Sequence, residues 1–131
     1  MSATGNVLLD TNVVIAHLRR ESGVTAKLQQ AGVIYLPLTV LGELYYGAFK
    51  STSSAKILAQ VHQFLNSAVV LPLSEVTAEN YGRIKTALDQ AGHPIPQNDI
   101  WIAALAEEYQ LPLATRDEHF KWVKGLNLLA W

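Results

Sequence analysis

Short apolar runs alternate with longer stretches of helical periodicity along the 131 residues of the chain. Val7, Leu8 and Leu9 form a compact run ending at Asp10, and Val14, Ile15 and Leu18 then share one face of a helix expected from Val13 to Arg20. Ser22 opens a second helix through Gln30, closed by Gly32. Val33 to Leu36 reads as a strand stopped by Pro37, and Thr39 as the N-cap of a helix running to about Phe49. Ile57, Leu58, Val61, Phe64 and Leu65 make the stripe of a helix from Ala55 to Leu65, followed by a strand at Val69–Leu71. Thr77 begins a helix through Gln90, ended by Gly92 and Pro94. The loop over Pro96 leads into a helix from about Asn98 to Tyr109. Leu111–Ala114 is a fourth strand, abbreviated by its proline, and Asn127–Trp131 a fifth.

Near-continuous apolar strands alternating with helices imply a central parallel sheet of about five strands with helices on both faces. No repeat, linker or low-complexity tract interrupts the pattern, so residues 1–131 are expected to form a single α/β domain.

Composition narrows the function classes. Half the residues are hydrophobic and 16% charged, which excludes general disorder. With no cysteine there is no disulfide framework, thiolate metal site or cysteine nucleophile, and the chain suits a reducing cytoplasm. Met1 to Asn6 has neither the basic nor the apolar region of a secretion signal. The most membrane-like stretch, Val33 to Phe49, contains Pro37 and the ionisable Glu43, whereas a spanning helix needs roughly 20 mostly apolar residues. Ten basic against eleven acidic residues leave a formal charge of -1, which speaks against binding polyphosphates by bulk positive charge.

The acidic residues carry the chemistry. In open parallel sheets ligands bind beyond the carboxyl ends of the strands. Asp10 ends the first strand and Asp117 follows the fourth. Glu43 and Asp99 lie near the starts of helices that begin at the same edge. Three have a structural explanation singly, Asp10 as a helix cap, Asp99 as a partner of the helix dipole and Asp117 within a capping box Thr115-Arg-Asp-Glu118, whereas Glu43 interrupts Val40, Leu41, Leu44 and Tyr45 in a helix that otherwise looks buried. Together they pose a different problem, because carboxylates 4 Å apart repel by about 4 kcal/mol per pair at an effective dielectric of 20. Such a group must take up protons, find basic partners or bind a cation. Hard oxygen donors without His or Cys spacing suit Mg²⁺ or Mn²⁺, the ions of metal-assisted phosphodiester hydrolysis.

Four blocks then carry a family resemblance: Leu8-Leu9-Asp10-Thr11-Asn12, Glu43-Leu44-Tyr45-Tyr46-Gly47, Asn98-Asp99-Ile100-Trp101-Ile102-Ala103-Ala104, and Thr115-Arg116-Asp117-Glu118-His119-Phe120. In this order and at this length the chain resembles a PIN domain, and within that family the VapC-type toxins of type II toxin-antitoxin pairs. The resemblance implies a PIN-like fold and an Mg²⁺- or Mn²⁺-dependent endoribonuclease in the cytoplasm. Asp10 and Asp99 would lead the metal ligands, with Glu43 and Asp117 completing the catalytic set. Thr11, Asn12 and Thr115 would orient carboxylates or a bound water, with Asn98 and Arg116 beside them. It also implies an RNA substrate, a cognate antitoxin seated in a groove near Tyr45, Tyr46 and Phe49, and a homodimer or a heteromeric complex with that antitoxin.

Among the remaining residues, Arg116 is the leading candidate for a phosphate contact, with Lys121 and Lys124 extending the track. His17, His62, His93 and His119 show no metal-ligand spacing, and only His119 stands close to the acids. Two other readings compete: another metal-dependent phosphohydrolase, and a non-catalytic RNA- or protein-binding PIN module. Against an aspartyl-phosphate mechanism, Asn12 stands where the second acid of an Asp-x-Asp pair would be.

Overall fold

The computed structural model describes residues 5–131. The first four residues, part of the stretch read for a secretion signal and of the expected domain, lie outside it. Five parallel strands, β1 (Val7–Leu9), β2 (Ile34–Pro37), β3 (Val69–Leu71), β4 (Leu113–Ala114) and β5 (Leu128–Leu129), form one sheet in the order β3-β2-β1-β4-β5. The helices are α1 (Thr11–Leu18), α2 (Ser22–Gln30), α3 (Leu38–Lys50), α4 (Ser54–Leu65), α5 (Glu75–Ala91) and α6 (Gln97–Tyr109).

The central strand explains the arrangement. Val7, Leu8 and Leu9 are all fully buried, so β1 is covered on both faces, as a strand inside a parallel sheet must be. From β1 the chain moves outward through β2 to β3, then returns across the sheet to β4 and β5. Right-handed crossovers in these two opposite directions send the helices to opposite faces. The reversal lies between β1 and β4, whose ends meet where the Asp10 N–H donates to the Ala114 carbonyl at 3.0 Å. Beneath this point α6 supplies a continuous buried face through Ile100, Ile102, Ala103, Ala104, Leu105 and Ala106.

Several boundaries differ from the sequence expectations, and each difference has a local cause. Helix α1 starts two residues early because Asp10 caps it, accepting from the Thr11 N–H at 2.8 Å. Thr39 is not the cap of α3. The helix begins at Leu38 with Pro37 in the cap position, and the Thr39 hydroxyl is buried without a hydrogen-bond partner. Pro37 does not stop β2 early either, because it pairs in register with Leu71 as the last residue of the strand, where no further ladder bond is needed. Helix α5 starts at Glu75, since Ser74 rather than Thr77 is its cap. Thr77 is its third residue and closes a reciprocal box with Ser74. The C-cap of α5, Gly92, adopts φ 75°, a left-handed conformation that glycine takes without strain. The expected box from Thr115 to Glu118 does not form, because the Thr115 hydroxyl accepts from the Asp117 N–H at 2.9 Å and donates to Asp10. Asp117 caps a short 3-10 helix, Glu118–Trp122, by accepting from the His119 N–H at 2.9 Å. No helix is long and apolar enough to cross a membrane among the described residues.

Candidate active site

The carboxyl edge at the β1–β4 reversal gathers Asp10, Glu43, Asp99 and Asp117. Asp10 is nearly fully buried (4% exposed), and donors hold both of its oxygens: the Thr11 N–H on Oδ1 at 2.8 Å and the Thr115 hydroxyl on Oδ2 at 2.7 Å. Thr115 sits just beyond β4, so the two central strands are tied together through this hydrogen bond. Burial pushes the Asp10 carboxyl up, the nearby charge of Asp117 adds to the effect, and the two hydrogen bonds oppose it.

Asp99 is delivered by the first turn of α6, where the N-terminal peptide dipoles favour an anion. Its carboxyl is nonetheless raised to about 6, chiefly by burial, with the charges of Asp10 and Asp117 contributing. Glu43 projects from the second turn of α3 and accepts from Asn98 Nδ2 at 3.3 Å. It too is raised, first by burial and then by the charge of Asp10. The four acids therefore bear on one another electrically, although they come from segments up to 107 positions apart in the sequence (117 less 10).

His119, noted in the sequence for its nearness to Asp117 but not as a ligand, is brought by the fold into contact with two of the acids. Its Nδ1 lies 3.2 Å from Asp99 Oδ2 and 2.9 Å from Asp117 Oδ1. The hydrogen bond to Asp99, then the charges of Asp117 and Asp99, raise its pKa. The signal was its place two residues after Asp117, which the five-residue 3-10 helix turns toward the acids.

The donor set suits a hard divalent cation. Asp99, Asp117 and His119 each offer a donor atom, and the three atoms lie within 4.8 Å of one another. An octahedral Mg²⁺ places opposite ligands about 4.2 Å apart, so one ion can be reached from such a group. Asp10 adjoins that trio, its charge bearing on Asp99, and Glu43 in turn feels the charge of Asp10. The Thr11 hydroxyl is buried among these acids and helps to hold the Glu43 carboxyl down against its burial. Asn12 Oδ1 accepts from the Arg116 N–H at 3.2 Å. The Arg116 side chain is likewise engaged elsewhere, with its guanidinium forked onto Glu21 and its Nε donating to the Trp131 carbonyl at 2.8 Å. Lys121 pairs with Glu118 at 3.6 Å.

Known proteins share the fold that carries these residues. The chain matches the PIN domain family over residues 7–126. Ribonuclease VapC2 of Haemophilus influenzae is 34% identical over 127 residues, covering 95% of this chain and 96% of that protein. Ribonuclease VapC5 of Mycobacterium tuberculosis is 32% identical over 124 residues, with 90% and 87% covered. Among solved structures, VapBC2 from Rickettsia felis bound to a DNA fragment from their promoter has a chain that aligns with a TM-score of 0.89 at 26% identity, covering 96% of this chain and 98% of that one. Matched over most of its length by the family and by relatives above 30% identity, the chain belongs to the PIN-domain family, in its VapC group.

Proposed function

We propose that the protein is a divalent-metal-dependent endoribonuclease, the toxin of a VapBC-type toxin-antitoxin pair, acting in the cytoplasm. The observation that carries this reading is the convergence of four carboxylates at the sheet reversal, with His119 as the one basic side chain hydrogen-bonded among them. The names and contexts of the relatives support it: two are called ribonucleases, and the Rickettsia felis structure holds toxin and antitoxin together on promoter DNA. The same kinship supports an antitoxin partner, and the toxin is expected to assemble as a homodimer or as a heteromeric complex with that antitoxin.

Asp10, Asp99, Glu43 and Asp117 would hold the ion. A bound Mg²⁺ or Mn²⁺ supplies charge for the phosphate and an acidified water for attack on phosphorus. The side chains of the chain prepare that chemistry. Thr115 and the Thr11 N–H fix the plane of the Asp10 carboxylate, so the ligand needs no reordering when the ion arrives. Asn98 steadies Glu43 in the same way. His119 holds a proton at Nδ1 between Asp99 and Asp117, which keeps two neighbouring anions together while no cation is present. Burial of Asp10 and Asp99 lowers the local dielectric and strengthens each of these interactions.

The purified protein is expected to cut RNA with Mg²⁺ or Mn²⁺ and to stop on addition of EDTA. Asp10→Asn is expected to remove both cleavage and growth arrest on expression. Full activity in that variant, or RNA left intact while a small phosphomonoester is turned over, would sink the assignment.

A further inference from the structure

Beside the acids stands an aromatic surface that the hydrolysis itself does not use. A lone exposed indole calls for no explanation, but Trp122, 43% exposed at the end of the 3-10 helix, is held in place. The His93 ring lies flat against it, centroids 3.5 Å apart and planes 8° from parallel. His93 belongs to the loop between α5 and α6, a segment with little freedom of its own. Gly92 takes the left-handed conformation, the His93 N–H donates to the Leu88 carbonyl at 3.0 Å, and Pro94 and Pro96 follow. The indole is therefore fixed in orientation while much of its surface faces solvent.

Its position is the second observation. Residues three apart in a 3-10 helix eclipse one another, so Trp122 lies on the same side as His119, about 6 Å further along the axis. His119 is held by Asp99 and Asp117, so Trp122 lies one turn of the same 3-10 helix from the acidic edge. The Lys121 ammonium lies over the same indole, 5.3 Å from its centroid. Its partner Glu118 is 3.6 Å away with both side chains more than half exposed, a pairing weak enough to yield to a phosphate. A rigid aromatic face with a mobile cation beside it is how sequence-tolerant proteins hold single-stranded nucleic acid.

The geometry points to Trp122, backed by His93, as a stacking platform for an unpaired base one nucleotide or so from the scissile phosphate, with Lys121 on the adjoining backbone. The inference rests on the nuclease reading and deepens it. Such a platform takes a base with a free face, which a base inside a duplex does not present.

The test uses the full chain with Ca²⁺ as the cation, a fluorescein-labelled mixed-sequence RNA oligonucleotide, and the same strand annealed to its complement. Trp122→Ala is expected to weaken single-strand binding about tenfold, to leave duplex binding unchanged, and to leave the Mn²⁺ affinity of the protein as it was. Trp122→Phe, which keeps a flat ring, is expected to recover most of the loss. Unchanged single-strand affinity in Trp122→Ala overturns the proposal. So does a loss shared equally with Mn²⁺ affinity and melting temperature, which would make the pair a clamp between α6 and the 3-10 helix. Wild-type cleavage of unlabelled RNA is followed in parallel. Cleavage with no effect of Trp122→Ala defeats the platform alone, whereas no cleavage with binding lost in Trp122→Ala defeats the nuclease reading alone.

Discussion

Two acidic clusters in this molecule are built from similar residues and behave in opposite ways. Where the start of α5 meets the end of α6, Glu108 accepts from Ser74 at 3.0 Å and from Thr77 at 2.5 Å, while Glu107 pairs with Arg83 at 2.6 Å. Each carboxylate there has its own donors, and the bonds pin two helices together. At the β1–β4 edge four carboxylates bear on one another's charge as well as on their donors, and Asp99 is pushed up to about 6. A protein that needed only stability would not place acids so. The contrast separates acids that hold the fold from acids for which the fold is held.

Replacing one acid in each cluster gives the widest separation. Asp99→Asn should lower RNA cleavage by about a thousandfold, the loss of a primary charge at the metal. Glu108→Gln keeps an acceptor for Ser74 or Thr77 and should leave cleavage within twofold. Equal losses in the two variants would erase the distinction.

The next effect is on stability without a cation, and its sign is fixed by the titrations. Asp99 titrates at about 6 in the fold against an ordinary 3.8, so between those values the native state binds the extra proton. Stability is therefore lost as pH rises through that window, by at most about 3 kcal/mol. His119, raised above its ordinary 6.5, also favours the protonated native state, and its contribution disappears as pH climbs through its own folded value. Both trends agree. In EDTA the melting temperature should fall from pH 4 to pH 8, and Asp99→Asn should flatten the decline. A melting temperature that rises over this range would contradict the strained reading of the edge.

How much of this was legible in the sequence depends on the reach of each interaction. Apolar runs located β1 and β3, end signals located α2, and a helical stripe located α4 within a residue of its ends. Those signals are local, because a residue's neighbours along the chain decide its face. The acids could be assigned to one edge because strand ends and helix starts meet there by topology. The hydrogen bonds were not readable. Thr115 bonds Asp10 across 105 positions and Arg116 bonds Glu21 across 95, and no window along the chain contains both partners. Arg116 looked like a phosphate contact from its neighbours in sequence, yet its guanidinium is forked onto Glu21. The 3-10 helix was missed for another reason: five residues are too few to show a period, and it is that turn which brings His119 to Asp99.

The bond between Thr115 and Asp10 offers a finer cut. Thr115→Val keeps the shape and removes the donor, which frees the buried carboxylate to rotate. Mn²⁺ affinity should fall by about ten- to a hundredfold, as for other groups that orient metal ligands. Titration calorimetry reads this directly. An unchanged affinity would mean that the Thr11 N–H alone orients Asp10.

The smallest effect belongs to the other cluster and checks that it is structural in kind. Thr77 is fully buried. Its hydroxyl donates to Glu108 and accepts from the Ser74 N–H at 2.9 Å, so one atom serves both the cap of α5 and the tie to α6. Thr77→Val preserves volume but leaves the Ser74 N–H without its acceptor and Glu108 with one donor fewer. Loss of a cap and a charge-assisted bond should cost about 2 kcal/mol, seen as a melting temperature lower by roughly 6 °C. Cleavage per folded molecule and Mn²⁺ affinity should be unchanged, since neither helix end touches the edge where Asp99 sits at the opposite end of α6. A fall in Mn²⁺ affinity alongside the melting temperature would show that α6 transmits strain along its thirteen residues to Asp99, and the two clusters would then be parts of one device.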